Sequence, residues 1–312
     1  MVMESAMPPV WRPDPRLWAP SPEVAGWFSV STILSIQSSV AFGHVGNSAA
    51  TFPLMRMGVE VFPVLTVHYS NSTVYGSWYG PVHKAAEVAD IVKGIDERGA
   101  LAGVDAVLTG YQGSEEMGNA ILGAVELVRE RNPQAIYCCD PVMGDVGRGF
   151  YVAPGIPEFL RDRVIPAADI VVPNQFELDF LTGRETTTLA GLLDAADALR
   201  ATGPDIVLVT SAVTDDAGDD QISMLVVSDE AHLVTTPRFD RSFTGSGDLT
   251  AATFVASILA GQSLADALAR TANVVYSVLK VTAEAGTQEL QLVAAQGELV
   301  NPTASFTAVQ VR

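Results

Sequence analysis

The sequence predicts an α/β fold in which a mostly parallel central sheet is covered by helices on both faces. Short apolar runs alternate with amphipathic segments from about residue 30 to the C-terminus. Continuous apolar runs are typical of strands that are buried on both faces. The amphipathic segments repeat apolar residues at intervals of three and four, which is the period of a helix. Because the two kinds of segment alternate, the strands are expected to pair mostly in parallel.

Six apolar runs are predicted as strands of this sheet. Between them, three segments are predicted as helices: the last two repeat apolar residues at intervals of three and four, and all three end in Gly or Asn, as helices commonly do. Two further runs, at 221–229 and 230–237, follow each other so closely that they predict a hairpin. The predicted strands are 31–37, 59–67, 105–111, 135–142, 169–174 and 205–211, and the predicted helices are 48–58, 115–132 and 188–203.

The charge balance excludes two classes of partner. The chain carries 18 Lys+Arg against 36 Asp+Glu, a net charge of −18, whereas nucleic acids and anionic membranes need a basic surface. No apolar run is long enough to cross a bilayer. The adjacent Cys138 and Cys139 cannot form a disulfide framework, which favours a reducing, cytoplasmic location. With four histidines in the chain, a structural zinc site is not expected.

Residues 1–29 differ in composition from the rest of the chain. They contain six prolines and three tryptophans, without the basic start and apolar core of a secretory signal. We interpret them as an N-terminal extension whose tryptophans lie on the globular body. Since no repeat or low-complexity linker follows, residues 30–312 are predicted to form a single domain.

Polar residues follow the predicted strands at their carboxyl ends, where open parallel sheets bind their ligands. Each has a structural explanation when taken alone: Asp140 can be a turn residue before a proline, Asn174 and Glu177 can cap a helix, and Thr210 can end a strand. Together they favour phosphate or metal chemistry, because each of these strands ends in such a residue. The set comprises Ser38, Asp140, Asp145, Asn174, Glu177, Thr210 and Ser211.

The stretch FTGSGDLTAA places Asp248 directly after Gly245, Ser246 and Gly247, at the start of an apolar helix. Free N–H groups and the helix dipole make such a start attractive to anions. The chain has three lysines and no G-x-x-x-x-G-K-[ST] loop, so a Walker-type phosphate site is excluded. Asp248 is then either a cap of the helix or an acid or base that meets a phosphate-bearing ligand.

At these residues the sequence resembles the pyridoxal kinases of the ribokinase-like superfamily, from about residue 31 to the C-terminus. The G-[ST]-G-D motif marks the superfamily, CDPVMGD with PNQFE marks its vitamin kinases, and IQSSVAFGHVGN with SNSTVYG points to pyridoxal kinases. Ser39, Ser72 and Ser246 stand where this family commonly has His, His and Thr. The absence of these two histidines bears on which B6 vitamer is preferred more than on the reaction that is catalysed.

The resemblance implies that the chain transfers phosphate from ATP to the 5′-hydroxymethyl group of pyridoxal and related B6 vitamers. Asp248 is implied to be the base that takes the proton of this hydroxyl group. Gly245, Ser246 and Gly247 are implied to form the anion hole for the transferring phosphoryl group.

The resemblance also implies a metal ion and an assembly. Asp140, Asp145 and Glu177 would organise Mg²⁺ beside the ATP phosphates, directly or through water. A monovalent cation such as K⁺ and a homodimer are further features that the family would lead us to expect.

The implied binding residues form two sets. In the substrate set, Ser38 would form a hydrogen bond with the pyridine ring; in the nucleotide set, residues 236–239 would cover the nucleotide. The substrate set is Ser38, Val45, Val67, Tyr69, Thr73, Val74, Tyr111 and Asp248, and the nucleotide set is Asp140, Val172, Asn174, Glu177, Thr210, Ser211, Thr236, Pro237, Arg238, Phe239 and Ser246.

Two other functions remain open at this point. A hydroxymethylpyrimidine kinase would share the fold and the mechanism, although Ser38 and the SNSTVYG segment favour pyridoxal. A non-catalytic protein that binds B6 vitamers would have no need of an aspartate base such as Asp248.

Overall fold

The computed structural model describes residues 30–312, and the predicted N-terminal extension at 1–29 lies outside the described residues. None of the helices in the described part combines the length and hydropathy needed to cross a bilayer. The strands are β1 (Thr32–Val40), β2 (Glu60–Tyr69), β3 (Ala106–Thr109), β4 (Ile136–Cys139), β5 (Gly144–Asp145), β6 (Gly149–Phe150), β7 (Ile170–Val171), β8 (Ile206–Ala212), β9 (Gln221–Val227), β10 (Ala231–Pro237) and β11 (Val309–Gln310). The helices are α1 (Asn47–Arg56), α2 (Ala85–Asp96), α3 (Glu115–Arg131), α4 (Ile156–Phe159), α5 (Gln175–Thr182), α6 (Leu189–Arg200), α7 (Ser246–Leu259), α8 (Leu264–Glu284) and α9 (Gln296–Val300).

The central sheet formed by the described residues has nine strands in the order β11-β10-β9-β8-β7-β4-β3-β1-β2. Pairing is parallel from β2 across to β8 and antiparallel among β8, β9, β10 and β11. The mostly parallel sheet and the hairpin at 221–237 are therefore confirmed. Strands β5 and β6 form a separate small hairpin. The sequence did not indicate it, because each of its strands is two residues long.

Helices cover both faces of the sheet, as predicted. On one face, α2, α3 and α6 pack through apolar residues such as Val88, Ile121 and Leu192, which are fully buried. On the other face, α1, α7 and α8 contribute residues such as Phe254 and Leu268, which are also fully buried. Burying one such side chain contributes about 1.5–3 kcal/mol. The apolar stripes that revealed the helices in the sequence are the surfaces that hold them on the sheet.

The parallel strands bring their carboxyl ends to one edge of the sheet, and polar residues gather there. At this edge α5 starts with a reciprocal cap between Asn174 and Glu177. The Oδ1 atom of Asn174 accepts a hydrogen bond from the backbone N–H of Glu177 at 3.0 Å, and Oε2 of Glu177 accepts one from the N–H of Asn174 at 2.9 Å. The capping explanation for this pair is confirmed, and it places both side chains at the ligand-binding edge of the sheet.

Candidate active site

A cavity of about 580 Å³ opens at the carboxyl edge of the sheet. It lies between the ends of β1, β4, β7 and β8 and the start of α7, so residues that are distant in sequence meet in one recess. Most of the residues that the resemblance implied line this recess. They are Ser38, Val45, Val67, Tyr69, Thr73, Val74, Tyr111, Asp140, Asp145, Val172, Asn174, Glu177, Thr210, Ser211, Gly245, Ser246, Gly247 and Asp248.

The start of α7 presents backbone N–H groups that have no acceptor within the helix. The first intrahelical bond runs from the N–H of Leu249 to the carbonyl of Gly245 at 3.0 Å, so the N–H groups of Ser246 and Gly247 have no acceptor within the helix. Gly245 has a φ of 87°, and a Cβ atom there would collide with the carbonyl oxygen of His44. Only glycine satisfies both the backbone conformation and this close approach. The start of α7 therefore fits the predicted anion hole.

Asp140 is a nearly buried carboxyl group beside this anion hole, with 7% of its surface exposed. A methyl group added to Gly247 would lie 3.8 Å from Oδ2 of Asp140. Burial raises the pKa of Asp140 well above its usual range, and the charges of Glu177 and Asp248 raise it further. A cation bound here would relieve this unfavourable accumulation of negative charge.

Glu177 is also buried, and both of its carboxylate oxygens hold backbone groups. Oε1 accepts hydrogen bonds from the N–H groups of Met143 at 2.9 Å and Gly144 at 3.5 Å, while Oε2 accepts from Asn174. Burial raises the pKa of Glu177 to about 8, against the opposing effect of these three N–H groups. Glu177 thus ties the loop after β4 to the start of α5. Any contact with a cation would be made in addition to these bonds or through water.

Asp248 is half-buried in the first turn of α7. Burial raises its pKa to about 6, and the nearby backbone N–H groups of Gly46 and of Asp248 itself partly oppose the rise. A carboxylate with this pKa is ionised at neutral pH and is still basic enough to accept a proton. The cap position of α7 is occupied by Gly245, and no side-chain hydrogen bond caps this end. The arrangement favours a base over a helix cap.

The acidic residues of the cavity do not form a preformed metal cage. Within residues 30–312, no three His, Cys, Asp or Glu side chains converge as ligands of one ion, and none of Asp140, Glu177 and Asp248 pairs with a Lys or Arg of this region. Magnesium in nucleotide sites commonly takes one or two carboxylates and completes its shell with water and phosphate oxygens. The donors present fit an ion that arrives with a nucleotide.

Ser38 lies at a β-bulge near the end of β1. The pairing of β1 with β2 shifts register between Gln37 and Ser39, and bulges beside active sites commonly redirect a side chain. Gly46 approaches so closely that a Cβ atom there would collide with Ser38. The bulge and the glycine together place Ser38 on the wall of the cavity.

Aromatic rings border the same end of the cavity as Ser38. The rings of Tyr69 and Trp78 lie 6.0 Å apart. The pKa of Tyr111 is raised by burial and, to a smaller extent, by Tyr69. With Val45 and Val67, these side chains form an apolar slot edged by hydroxyl groups, which suits a small polar aromatic ring.

The other end of the cavity lies at the ends of β7 and β8. Asn174 pairs with Thr210 as an isolated parallel bridge. Ser211 has a φ of 54°, and the pairing of β8 with β9 shifts register around it. A positive φ is unfavourable for residues other than glycine, and such strain is concentrated at ligand sites. The geometry supports the nucleotide-binding role predicted for these strand ends.

Four residues predicted to cover the nucleotide do not line the cavity: Thr236, Pro237, Arg238 and Phe239. The ring of Phe239 instead packs edge-on against Phe243 at 5.5 Å, and Phe243 does line it. The segment therefore contacts a residue of the cavity wall and is not itself part of that wall. Its contact with the nucleotide stays a prediction.

Several lining residues were not identified from the sequence. Arg148 and Tyr151 belong to the β5–β6 hairpin and its exit, which are too short to show a period. Trp78 lies two residues after the end of the SNSTVYG segment, so its position close to a predicted motif was the available signal. The full set is Val40, Trp78, Val142, Arg148, Tyr151, Ser242, Phe243, Thr244 and Gln288. Ser72, which the sequence marked as a departure from the family, also lines the cavity.

Glu289, a buried residue that the sequence did not single out, joins three segments that line the cavity. Its Oε2 atom accepts a hydrogen bond from the N–H of His44 at 2.9 Å, and its Oε1 atom accepts one from the hydroxyl of Tyr75 at 3.1 Å. Next to it, the N–H of Thr244 donates to the carbonyl of Gln288 at 3.0 Å. The turn after β1, the turn at Tyr75 and the loop before α7 are thus held together at one point.

A phosphoryl group at the start of α7 would face Asp248 and the buried carboxyl groups. This arrangement is that of a small-molecule kinase with the ribokinase-like fold. A family model described as phosphomethylpyrimidine kinase matches residues 87–292. The pyridoxal kinase PdxY of Rubrobacter xylanophilus is 55% identical over 281 residues, which cover 89% of this chain and 97% of that protein. The PdxY of Deinococcus radiodurans is 50% identical over 286 residues, 89% of this chain and 96% of that protein.

A solved structure agrees with these relatives. The pyridoxal kinase from Leishmania donovani, in complex with ADP and pyridoxamine, superposes with a TM-score of 0.84 at 28% identity and covers 90% of this chain and 100% of its own. The chain belongs to the pyridoxal kinase family.

Proposed function

We propose that this chain phosphorylates the 5′-hydroxymethyl group of pyridoxal at the expense of ATP, in vitamin B6 salvage. The observation that carries the proposal is a single cavity in which an anion-binding helix start and Asp248 stand beside an apolar slot edged by hydroxyl groups. The relatives named pyridoxal kinase PdxY support the choice of pyridoxal, as does the Leishmania structure with ADP and pyridoxamine.

In the proposed reaction, the 5′-oxygen of pyridoxal attacks the γ-phosphorus of ATP and its proton passes to Asp248. The bond between the γ-phosphorus and the β–γ bridging oxygen breaks, and ADP leaves with the electron pair. Phosphoryl transfer is mainly a matter of positioning and charge stabilisation. The N–H groups of Gly245, Ser246 and Gly247 would receive the oxygens of the transferring group.

Asp140 and Asp145 are the residues that we propose to hold Mg²⁺, with Glu177 acting through water because both of its oxygens already accept hydrogen bonds. The ion would offset the negative charge of the ATP phosphates. The predicted dependence on K⁺ stays a prediction.

Mg²⁺ alone should stabilise the protein more at pH 8 than at pH 6. The pKa values of Glu177 and Asp248 are raised to about 8 and about 6, so the folded state holds protons that the unfolded chain releases above about pH 4.5. Stability from these groups therefore falls as pH rises toward 8. A cation offsets this loss where the groups are ionised. At about ten times its dissociation constant it contributes roughly 1.4 kcal/mol, or a few degrees in Tm.

Thermal unfolding at both pH values, with MgCl₂ or with NaCl of equal ionic strength, measures this difference. The variant Asp140→Asn should lose most of the Mg²⁺-specific shift at pH 8. A shift that is equal at both pH values, or that NaCl reproduces, would contradict the proposed metal site.

Ser38→Ala should weaken the binding of pyridoxal about tenfold to hundredfold. An unpaired polar atom in a buried site costs roughly 1–3 kcal/mol. The affinity for ATP should stay close to wild type, because the strand ends at Asn174 and Thr210 are distant from Ser38 along the sheet. Calorimetric titration of each ligand separately tests the effect. Ser39→Ala is the matched control, since the hydroxyl of Ser39 bonds that of Ser48 at 3.0 Å and does not line the cavity. Equal loss of both ligands in Ser38→Ala would make Ser38 a structural residue.

The experiment that tests the proposed function is a competition between acceptors. Pyridoxal, pyridoxine, pyridoxamine and hydroxymethylpyrimidine are offered together with limiting Mg-ATP, and the phosphorylated products are separated and quantified. Pyridoxal should dominate the products. If hydroxymethylpyrimidine phosphate dominates, the chain is a hydroxymethylpyrimidine kinase. The matching family model is described as a phosphomethylpyrimidine kinase, so this alternative is part of the test.

We also propose a homodimer that forms through the β2 edge of the sheet. Phe42, Tyr79 and Val82 near this edge are 62%, 82% and 64% exposed, and β2 is the terminal strand. Residues 79–83 are hydrogen-bonded along the outer side of β2, so the interface would form through these exposed apolar side chains, which are typical of interfaces, and not through an open strand. Light scattering should give a mass near twice 32.9 kDa, and Tyr79→Glu should lower it toward one chain. A wild-type mass of one chain at micromolar concentration would refute the dimer.

Two broader expectations complete the proposal. Residues 30–312 would act as one domain, because the helices on both faces pack on the same sheet. The protein would work in the cytoplasm, which is compatible with Cys138 and Cys139 being free, buried thiols.

A further inference from the structure

Arg148 is the single basic side chain, among the described residues, that lines the cavity. Four acidic residues line the same cavity: Asp140, Asp145, Glu177 and Asp248. ATP brings further negative charge to this place. Such a site needs positive charge beyond the helix start, and among the described lining residues Arg148 is the one that can supply it in addition to a bound Mg²⁺.

The hairpin that carries Arg148 is firmly anchored. Strands β5 and β6 pair through Gly144 with Phe150. The ring of Phe150 packs edge-on against Phe176 and Phe180 of α5, with centroids 5.1 Å apart in both cases. Since α5 also carries Glu177, the hairpin and the buried carboxyl group are attached to the same helix.

The guanidinium group of Arg148 is oriented by an aromatic ring, and no carboxylate of the described residues pairs with it. Its Cζ atom lies 5.4 Å from the centroid of the Tyr151 ring, a contact that orients an arginine side chain. In the part of the chain that the structure describes, Arg148 forms no ion pair with a carboxylate, although the cavity holds several. Its side chain is exposed at the mouth of the cavity, where a ligand can reach it.

We propose that Arg148 binds the β- and γ-phosphates of the nucleotide and stabilises the charge on the phosphoryl group during transfer. The inference rests on the proposed kinase function. A guanidinium group offers a rigid fork of N–H donors that matches phosphate oxygens. The hairpin holds this fork in the same cavity as the N–H groups at the start of α7, so both could contact the phosphates of one nucleotide.

Arg148→Ala tests the proposal, with Arg161→Ala as the matched control. Arg161 is a partly exposed arginine whose Cζ atom likewise lies over a ring, 5.8 Å from the centroid of Phe180. It forms an ion pair with Asp162 and does not line the cavity. Arg148→Ala should lower kcat about tenfold to hundredfold, the yield of a lost charged hydrogen bond to phosphate, and should raise the KM for ATP. The KM for pyridoxal should not change. Arg161→Ala should retain wild-type kinetics.

Two further measurements separate a phosphate contact from a structural role. By calorimetry, Arg148→Ala should bind ADP more weakly than wild type and bind AMP equally well, because AMP lacks the β-phosphate. Arg148→Lys, which keeps the charge and the aliphatic stem, should recover part of the rate. If Arg148→Ala behaves like Arg161→Ala, or weakens AMP as much as ADP, the proposal is overturned.

The calorimetric comparison does not depend on the acceptor. If the wild-type protein fails to phosphorylate pyridoxal, the proposed function is wrong, and the ADP and AMP affinities still decide whether Arg148 contacts the phosphates.

Discussion

Asp248→Asn should lower kcat about 10²- to 10⁴-fold, the usual contribution of a positioned base. The amide has nearly the same size and cannot accept the proton of the 5′-hydroxyl group. Binding of ATP and pyridoxal should change little. Because burial raises the pKa of Asp248 to about 6, ionised Asp248 destabilises the folded state above that pH, and the Tm of the variant at pH 8 should equal or exceed that of wild type. In the wild-type protein, kcat/KM should decline as the pH falls below about 6.

Asp266→Asn is the control for the effect of charge at a helix start. Asp266 is the third residue of α8, as Asp248 is of α7, and it lies outside the cavity. Its replacement should reduce stability slightly, through the helix dipole, and leave turnover intact. A kcat above half of the wild-type value in Asp248→Asn would remove Asp248 from the role of base.

Gly245→Ala should lower kcat by at least about 10²-fold, the usual cost of losing one donor of an anion hole. The left-handed conformation of Gly245, with a φ of 87°, costs about 1–2 kcal/mol for a residue with a Cβ atom. In addition, the new methyl group would collide with the carbonyl of His44. The loop before α7 must then move, and the N–H groups that would receive the phosphoryl group move with it.

Gly261→Ala isolates the cost of backbone strain. Gly261 lies just beyond the other end of α7, has a φ of 74°, and an added Cβ atom there has no neighbour within 4 Å. This variant should lose a few degrees of Tm and keep its kcat. If Gly245→Ala loses stability but retains full turnover, the anion hole does not lie at the start of α7.

The strand ends could be predicted from the sequence because they depend on local patterns. Apolar runs located the strands, and the polar residue that follows each run, such as Asp140 or Thr210, lies at the edge where parallel strands end. The motif at Gly245 to Asp248 combines a turn and a helix start in consecutive residues. Such features involve neighbours in the chain, so the sequence alone is enough to indicate them.

The features that the sequence did not reveal depend on contacts between distant residues. Glu289 reaches His44 and Tyr75 across more than 200 positions of the chain, and no local pattern marks such a bond. Arg148 stands in a turn of charged and glycine residues, and only its place in the folded cavity separates it from other surface arginines. The double use of Glu177, as a cap of α5 and as the anchor for Met143, likewise became visible only in three dimensions.

The most direct test of the account is the chemical identity of the product. Purified protein is incubated with Mg-ATP and pyridoxal, and the reaction is followed by ³¹P and ¹H nuclear magnetic resonance. ADP and a phosphate ester should form in equal amounts, with the ester phosphorus coupled to the 5′-methylene protons of pyridoxal. ATP hydrolysed to inorganic phosphate without an ester, or an ester that forms from hydroxymethylpyrimidine and not from pyridoxal, would contradict the proposed function.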